Sequence, residues 1–537
     1  MTESDNTLDL NEIRAASGDF DADFTAEERA RRTPGVARRA AGSIVGMAVG
    51  DALGAPYEFG PSPGIVLAGT ADDMVGGGTF AWAPGEWTDD TSMAVPLLRA
   101  FAQTDPADGR AIPTAVVQEW RAWAQKAPDV GNQTRAVLGR LSASSTADDA
   151  RASARRVHES TGRSGGNGSL MRTAPVGLLV RFSNSGFFST ARTVDAIVTS
   201  ARELSGLTHY DPDAGDACVL WSVMIHMAVT YGVVDVEDAL RCLPESRRDR
   251  WRALLAEAAD AEPGDFPKNG WVVHALQAAW AAIHRAGFDL VDDLTATPDA
   301  FRLALQHAIN AGGDTDTVAA ITGALAGALA GVDAIPLGWQ RRLHGWGGEG
   351  VVLTGHELAT LAVEVQRNVG SDYPTSYQPT ERVDYSAYGD IGVLAKHPHD
   401  EGVWIGAVGM LDDLPAGVDA VVSLCRIGTR QVPDAIAAGD RVTVRLIDKE
   451  APGENPHLEF VLTEAADAVA ALRAEGKTVL LHCVQAQSRT PTVAALYSMR
   501  HLGVDGERAV REVCAALPQA HPNQAFASVL RAQTFTQ

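Results

Sequence analysis

The sequence predicts two domains of different fold class, an all-α domain followed by a smaller α/β domain with a central sheet. The chain has 537 residues, which is too long for one ordinary hydrophobic core. Apolar residues follow helical spacing up to about residue 367, and strand-like alternation is scarce there. After a polar stretch rich in Pro, Tyr and Ser, short β-branched runs alternate with helical patterns. We therefore predict a flexible acidic leader, a helical domain, a linker and an α/β domain at 1–36, 37–367, 368–387 and 388–537.

The overall composition restricts the kinds of partner. The formal net charge is −23, which argues against a broad nucleic-acid-binding surface and leaves room for a local anion pocket. The five cysteines are scattered and indicate neither a disulfide framework nor a CxxC metal site. Because neither a signal-peptide pattern nor an apolar run of about 18 residues is evident, we expect a cytoplasmic protein with no membrane partner.

The helical domain begins with a pattern suited to close packing. Gly46, Gly50 and Gly54 recur at every fourth residue of an Ala- and Gly-rich segment, so they share one helix face and permit a second backbone to approach. Further helices are predicted at about 113–126, 189–204, 214–231, 236–242, 270–286, 300–309 and 317–331.

The sequence of the α/β domain contains short strand patterns, in contrast to the helical domain. Short strands are predicted at 403–406, 420–424, 442–447 and 478–483, and the last has the continuous apolar character of a buried strand. Helices are predicted between and after them at about 461–475, 490–502 and 506–516. Alternating elements of this kind indicate a sheet covered by helices.

Two acidic motifs open two apolar helices. One is Thr88-Asp89-Asp90 and the other is Asp314-Thr315-Asp316-Thr317. One side-chain oxygen suffices to cap a helix, whereas two carboxylates at each start repel each other unless a cation is present. Carboxylate and hydroxyl oxygens suit Mg²⁺, Mn²⁺ or Ca²⁺ better than zinc. From these motifs alone, a metal site and a pair of overbuilt helix caps both remain open.

Six motifs occur in a characteristic order, at 50–58, 85–93, 129–134, 165–172, 207–212 and 312–317. The ordered set resembles the ADP-ribosylglycohydrolase family, the hydrolases that remove ADP-ribose from modified proteins, over roughly residues 38–367. The resemblance implies an all-α domain with two Mg²⁺ (or Mn²⁺) ions at the base of an ADP-ribose cleft. The metal ligands that it implies are Thr88, Asp89, Asp90, Asp314, Asp316 and Thr317.

The same resemblance implies roles for further residues. Glu58 and Asp129 would be catalytic, because cleavage through an oxocarbenium-like state needs carboxylates that stabilise positive charge and handle protons. A surface charge at Glu58 and a helix cap at Asp129 remain the plainer alternatives, and His209 could be a structural histidine. The residues implied to bind ADP-ribose are Gly131, Asn167, Gly168, Ser169 and His209.

A separate motif lies in the α/β domain. Residues 482–490 match His-Cys-x5-Arg-Thr between a predicted strand and a predicted helix, and residues 388–535 resemble a dual-specificity or protein-tyrosine phosphatase domain. Such a loop would stabilise a bound phosphate through backbone N–H groups at a helix N-terminus. The resemblance implies Cys483 as the nucleophile, Arg489 as a bidentate ligand of two phosphate oxygens and Asp448 as the general acid. The implied phosphate-binding residues are Val484, Gln485, Ala486, Gln487, Ser488, Arg489 and Thr490.

One position departs from the phosphatase pattern. Ala486 stands where the family usually has glycine, and alanine there would either tighten the loop or disfavour a backbone angle that the loop needs. This departure puts the phosphatase rate in doubt more than phosphate binding.

The leading hypothesis is a two-domain hydrolase. The first domain would remove ADP-ribose from a protein side chain, with arginine favoured by the Asp129 motif. The second would remove phosphate from a phosphoprotein or a phosphorylated small molecule. One alternative is an ADP-ribose- and phosphate-binding protein on a hydrolase scaffold, and another is an active glycohydrolase with a non-catalytic phosphate-binding module. A weaker hypothesis is a single substrate that carries both ADP-ribose and phosphate.

Overall fold

The protein is described by a computed structural model over residues 35–104, 112–179, 190–290, 296–369 and 379–534. Nearly all of the predicted leader and the middle of the predicted linker lie outside the described residues. The chain divides into two units. The helical unit comprises Met1–Ile335 and Arg342–Gln378, and the sheet unit comprises Pro336–Arg341 and Pro379–Gln537.

The described part of the helical unit is mainly helical, as predicted. Its first helices are α1 (Val36–Gly54), α2 (Asp89–Gln103), α3 (Ile112–Ala124), α4 (Asn132–Leu138), α5 (Ala147–Thr161), α6 (Ala174–Gly177), α7 (Thr190–Gly206) and α8 (Pro212–Tyr231). They are followed by α9 (Val236–Arg241), α10 (Glu245–Asp260), α11 (Val272–Arg285), α12 (Pro298–Ile309), α13 (Thr315–Ala330) and, almost wholly within the sheet unit, α14 (Leu337–Arg342). A hairpin of β1 (His344–Gly348) and β2 (Val351–Thr354) then precedes α15 (Gly355–Val369).

The hairpin corrects the prediction of an all-α domain. Strands β1 and β2 pair in antiparallel register, with His344 opposite Thr354. The β-branched pair Val351-Val352 favours a strand, and Gly350 takes a positive φ of 71° in the turn, which a residue with a β-carbon rarely adopts. The run is too short for its alternation to stand out from the surrounding helical patterns.

Helices α1 and α13 form the centre of the helical unit, and both are buried almost all round. The predicted glycine face of α1 lies directly against α13. A β-carbon placed on Gly50 would lie 2.1 Å from the carbonyl oxygen of Ala319, and one on Gly46 would lie 2.3 Å from that of Gly323. At the end of the same face, a β-carbon on Gly54 would lie 2.5 Å from the Cα of Asp316. The glycines therefore bring the end of α1 against the start of α13, where the second acidic motif begins.

Helix α8 is the other apolar element of this unit. By length and composition it is the one described helix that could cross a membrane, but 94% of its most apolar window is buried inside the protein. Asp211 caps its first turn by accepting a hydrogen bond from the backbone N–H of Asp213 at 2.9 Å. Its surroundings are those of a core helix.

The sheet unit contains the predicted central sheet. Its strands are β3 (Leu394–His397), β4 (Asp400–Ala407), β5 (Ala420–Ser423), β6 (Arg441–Thr443) and β7 (Val479–Cys483). They lie in the order β3-β4-β7-β5-β6, with β3 antiparallel to β4 and the other neighbouring pairs parallel. Its later helices are α16 (Leu458–Ala474), α17 (Arg489–His501), α18 (Gly506–Ala516) and α19 (Gln524–Thr534).

The strand predicted at 442–447 is wrong in its length. Strand β6 ends at Thr443, and the last paired contact beyond it is a hydrogen bond from the Val444 N–H to the Ser423 carbonyl. The apolar side chains of Val444 and Leu446 remain buried in the core, which explains why their pattern resembles a longer strand. The early end leaves Asp448 in a loop that follows the carboxyl end of β6.

Candidate functional site

A buried carboxylate on α1 holds the first acidic motif in place. Asp51 accepts hydrogen bonds from the backbone N–H of Thr88 at 2.9 Å and from the backbone N–H of Thr91 at 3.0 Å. It also accepts one from the Thr91 hydroxyl at 2.7 Å. Asp51 thus provides the hydrogen-bond acceptor for backbone N–H groups at the start of α2, and Asp89 and Asp90 are not needed as caps. Sequence reasoning gave Asp51 no role, although a lone acidic residue on an apolar helix face was a usable signal.

The two acidic motifs meet in one buried cluster. The Thr317 hydroxyl lies 3.4 Å from Asp90 Oδ2, and the Thr88 hydroxyl lies 3.1 Å from the same oxygen. On the other side, ligand oxygens of Glu58, Asp314 and Asp316 all lie within 4.8 Å of one another. The structure therefore brings together all six predicted metal-binding residues (Thr88, Asp89, Asp90, Asp314, Asp316 and Thr317).

Glu58 reaches this cluster through a backbone bridge. The Phe59 N–H donates to the Gly313 carbonyl at 2.7 Å, and the Gly313 N–H donates to the Gly60 carbonyl at 2.8 Å. Phe59 has a φ of 64°, in the left-handed region that a bulky side chain rarely occupies. The bridge ties the loop after α1 to the residue before Asp314, so Glu58 faces the second acidic motif.

Burial and mutual repulsion dominate the electrostatics of the cluster. Burial first, and the neighbouring carboxylates second, raise the pKa of Glu58 to about 9 and that of Asp89 to about 8. The same causes raise the pKa values of Asp90 and Asp316 well above the ordinary range. Among the residues that the structure describes, one oxygen of Glu58 and one of Asp90 are buried and have no hydrogen-bond partner.

Hard divalent cations fit this donor set. Unpartnered carboxylate oxygens in a buried, mutually repelling cluster are costly, and a cation with a preference for oxygen ligands would satisfy them. Two hydroxyls and several carboxylates also match the ligand types that Mg²⁺ and Mn²⁺ take in proteins.

Two asparagines hold Asp314. The Asn167 amide donates to Asp314 Oδ2 at 2.7 Å and to the carbonyl of Asn269 at 2.8 Å. The Asn269 side chain in turn accepts the backbone N–H of Asp314 at 3.0 Å. Asn167, predicted to bind ADP-ribose, therefore donates to one carboxylate of the cluster and to the backbone of the second asparagine. Sequence reasoning missed Asn269, which lies just before the helix predicted at 270–286.

Asp129 lies at the same cluster. The Gly131 N–H, two residues on, donates to Asp89 Oδ2 at 3.3 Å, which joins the Asp129 motif to the first acidic motif. Burial and then the charge of Asp314 raise the pKa of Asp129 to about 6, and Arg135 opposes this rise. Asp129 is thus a carboxylate beside the cluster, with a pKa suited to proton transfer near neutral pH.

The glycine loop at 165–168 packs against His209. A β-carbon on Gly166 would lie 3.4 Å from His209 Nε2, and one on Gly168 would lie 3.2 Å from His209 Cε1. The loop and the histidine therefore form one wall beside the acidic cluster. The hydroxyl oxygen of Ser169 accepts a hydrogen bond from the Ser205 hydroxyl at 3.0 Å in the interior, so its side chain does not line this wall.

The sheet unit contains a second constellation at the carboxyl ends of its parallel strands. Cys483 ends β7, Arg489 begins α17, and residues 483–490, here called the phosphate loop, join them. Arg489 Nη1 donates to the carbonyls of Leu424 and Leu446, at 3.1 Å in each case. Its Nε lies 3.5 Å from Asp448 Oδ2. The structure thus brings the predicted general acid to the predicted phosphate ligand.

Ala486 in the phosphate loop has a φ of 57° and is fully buried. This left-handed angle explains why glycine is favoured at the position, since a β-carbon costs roughly 1–2 kcal/mol there. The Thr490 hydroxyl lies 3.4 Å from the Gly406 carbonyl. The other predicted loop residues, Val484, Gln485, Gln487 and Ser488, follow Cys483 along the same loop.

Asn523, which sequence reasoning missed, links the loop to the general acid. Its backbone N–H donates to Ser488 Oγ at 3.1 Å, and its amide donates to Asp448 Oδ1 at 2.9 Å. A cavity of about 670 Å³ adjoins this link and is lined by both acidic and basic side chains, among them Glu450, His521 and Arg531. No sequence spacing connects position 523 with position 448, so the link depends on the fold.

Comparison with known proteins finds a family match and relatives for the helical unit. The family model described as ADP-ribosylglycohydrolase matches residues 32–372. An ADP-ribosylarginine hydrolase, Tri1, from Pseudomonas putida is 32% identical over 57% of this chain and 74% of its own length. The ADP-ribosyl-[dinitrogen reductase] glycohydrolase of Rhodospirillum rubrum is 30% identical over 58% of this chain and 92% of its own. A crystal structure of human DUSP28 is 25% identical with a TM-score of 0.24, over 27% of this chain and 98% of that one.

Proposed function

The chain belongs to the ADP-ribosylglycohydrolase family, and on that basis we propose that the helical unit removes ADP-ribose from arginine side chains of modified proteins. The observation that carries the proposal is the convergence of Glu58, Asp129 and the two acidic motifs on one buried cluster. The acceptor class is supported by the similarity to proteins named ADP-ribosylarginine hydrolase and by the Asp129 motif.

Thr88, Asp89, Asp90, Asp314, Asp316 and Thr317 would hold two divalent cations, Mg²⁺ or Mn²⁺. When bound, such ions orient hydroxyl groups of a sugar and offset nearby negative charge. Asp51, Asn167 and Asn269 keep the ligand carboxylates in position through the hydrogen bonds described above.

The chain's own carboxylates supply charge and proton handling in the proposed reaction. The bond between the ribosyl carbon and the guanidine nitrogen breaks, and a bond from that carbon to a water oxygen forms. Asp129 is ionised at neutral pH, so it can stabilise positive charge on the ribosyl carbon and accept the proton that water loses. The Glu58 carboxyl, which retains its proton to about pH 9 when the cluster holds no cation, faces Asp314 and Asp316 of the second acidic motif.

The test is release of ADP-ribose from an arginine-linked substrate, with serine-linked and thymidine-linked substrates in parallel. We expect release from the arginine-linked substrate, its loss after chelation and its recovery with Mg²⁺. Asp129→Asn should lower kcat by about 10²–10⁴-fold, whereas Asp299→Asn, an exposed carboxylate that pairs with Arg302, should not change it. Equal release from the three linkages, or full activity of Asp129→Asn, would contradict the assignment of acceptor or base.

For the sheet unit we propose a cysteine-dependent phosphatase. Support comes from the geometry of the phosphate loop, with Asp448 beside Arg489. The Cys483 sulfur would attack phosphorus while the bond to the leaving oxygen breaks and Asp448 protonates that oxygen; water then cleaves the sulfur–phosphorus bond. The described cysteines are free thiols, and this chemistry needs Cys483 reduced, which agrees with the cytoplasmic location that we propose.

Measuring turnover of an aryl phosphate and binding of inorganic phosphate distinguishes a phosphatase from a phosphate-binding module. With a chromogenic aryl phosphate, the wild-type protein should turn over and Cys483→Ser should not. If the wild-type protein binds inorganic phosphate but turns over no aryl phosphate, the sheet unit is a binding module. Working metal and cysteine sites together would exclude the binding-protein alternative for the whole chain.

A further inference from the structure

Arg172 is a cation sealed inside the helical unit. Its guanidinium is almost fully buried and lies 4.0 Å from the ring centre of Trp120, an arrangement that stabilises a buried positive charge. Its Nη2 donates to the hydroxyl oxygen of Thr208 at 2.7 Å. Arg172 therefore does not meet a ligand itself and acts on Thr208.

The bond to Arg172 fixes the direction of the next hydrogen bond. A guanidinium has no acceptor atom, so the Thr208 oxygen must accept in that contact. Its own hydrogen then needs an acceptor, because Thr208 is fully buried and an unsatisfied hydroxyl is costly. His209 Nδ1 lies 2.7 Å from this hydroxyl and is its only other polar contact among the described residues.

A His209 ring that accepts at Nδ1 carries its hydrogen at Nε2. Burial first, and Arg172 second, lower the pKa of His209 well below the ordinary value, so the ring is neutral. Nε2 points to the glycine loop, 3.4 Å from where a β-carbon of Gly166 or Gly168 would stand. Within the described part of the chain, no hydrogen bond reaches this nitrogen, although only 3% of the His209 surface is exposed.

We propose that Arg172 and Thr208 are positioning residues that hold His209 in the Nε2–H tautomer, so that Nε2 donates to an oxygen of ADP-ribose lying along the glycine loop. The proposal rests on the proposed binding of ADP-ribose. Oxygens of the diphosphate and hydroxyls of the distal ribose share this acceptor chemistry. The absent side chains at Gly166 and Gly168 leave the room that such an oxygen needs.

The tautomer can be tested without any ligand. In the full-length protein labelled with ¹⁵N-histidine, two-bond ¹H–¹⁵N spectra separate protonated from unprotonated ring nitrogens, and the His209→Gln variant assigns the signal. We expect an unprotonated Nδ1 and a protonated Nε2 in the wild-type protein and in Thr208→Ser. In Thr208→Val this pattern should be lost. A wild-type ring protonated at Nδ1 would overturn the proposal, whatever the activity of the enzyme.

Calorimetric binding of ADP-ribose tests the recognition step. Thr208→Val should bind about tenfold more weakly, and Thr208→Ser should bind within about twofold of wild type. The matched control is Thr322→Val, which removes an equally buried hydroxyl that donates to the Val318 carbonyl of its own helix at 2.7 Å. It should bind like wild type.

Binding of ADP distinguishes the two oxygen sources. If Thr208→Val weakens ADP and ADP-ribose equally, Nε2 contacts the diphosphate, and if it weakens ADP-ribose alone, Nε2 contacts the distal ribose. Unchanged affinity of Thr208→Val for both would refute the donor role. If the wild-type protein bound no ADP-ribose, the proposed function would fail along with the recognition step, while the spectra would still decide the positioning role.

Discussion

Replacing Asp316 with asparagine should remove the thermal stabilisation that Mg²⁺ confers on the helical unit. Asp316 is fully buried beside Asp90, Asp314 and Glu58, and its Oδ1 accepts the backbone N–H of Thr317 at 2.9 Å. Asparagine has the same shape and keeps an oxygen for that bond. The substitution therefore removes one negative ligand from the cluster with little change in packing.

The magnitude follows from mass action and from the size of the unit. A ligand at 1,000 times its Kd stabilises the folded state by about 4 kcal/mol. The helical unit comprises Met1–Ile335 and Arg342–Gln378, for which roughly 2.1 cal/mol/K per residue gives an unfolding entropy of about 0.8 kcal/mol/K. Saturating Mg²⁺ should therefore raise the Tm of this unit by about 5 °C in the wild-type protein.

Differential scanning calorimetry of the full chain measures this change, because the two units can unfold in separate transitions. After chelation, the Tm of Asp316→Asn should equal or exceed that of wild type, since one repelling carboxylate is gone. Mg²⁺ should then raise it by less than about 1 °C. Asp299→Asn is the control, because it removes an exposed carboxylate and should leave the rise of about 5 °C intact. A rise of about 5 °C in Asp316→Asn would refute the role of Asp316 as a metal ligand.

Three further predictions follow from the same structure. The metal-free helical unit should lose stability as the pH rises from about 5 to 9, because the folded pKa values of Asp89 (about 8) and Glu58 (about 9) exceed their unfolded values. The rise in Tm that Mg²⁺ causes should therefore be larger at pH 8 than at pH 6. An equal rise at the two pH values would contradict this linkage. Gly50→Ala should cost about 3 kcal/mol in a denaturant titration, whereas Gly206→Ala, whose new β-carbon has no atom of the described residues within 4 Å, should cost less than about 1 kcal/mol. Ala486→Gly should relieve a left-handed strain of about 1 kcal/mol and raise kcat/KM for an aryl phosphate by up to about fivefold, and a lower rate would show that the loop does not need this relief.

Much of the helical architecture could be predicted because it depends on local pattern. The glycines of α1 recur at the spacing of one helix face, and this face packs on α13. Helices with strong apolar periodicity, such as α8 and α13, were predicted within about two residues of their observed ends. The polar helices α5 and α10 were missed, although Thr146 and Asp149 form a capping box at the start of α5 that was available in the sequence.

The site was predicted less completely than the fold. Two acidic helix starts were recognisable because each has more carboxylates than a cap needs. Asp51 and Asn269, which support these helix starts, were not recognisable, and neither was Asn523 in the sheet unit, since their partners lie 35 or more residues away. A hydrogen bond across such a separation leaves no periodicity and no spacing rule behind.

The sequence by itself determined which chemical groups are available: acidic oxygens at two helix starts, a glycine face on one helix, and a cysteine and an arginine on one loop. Only the tertiary structure decided which of them share a buried volume. The bridge between Phe59 and Gly313 brings Glu58 against Asp314 and Asp316, and this proximity together with burial raises the pKa of Glu58 to about 9. Charge interactions and desolvation depend on distance and burial, and these quantities exist only once the chain has folded.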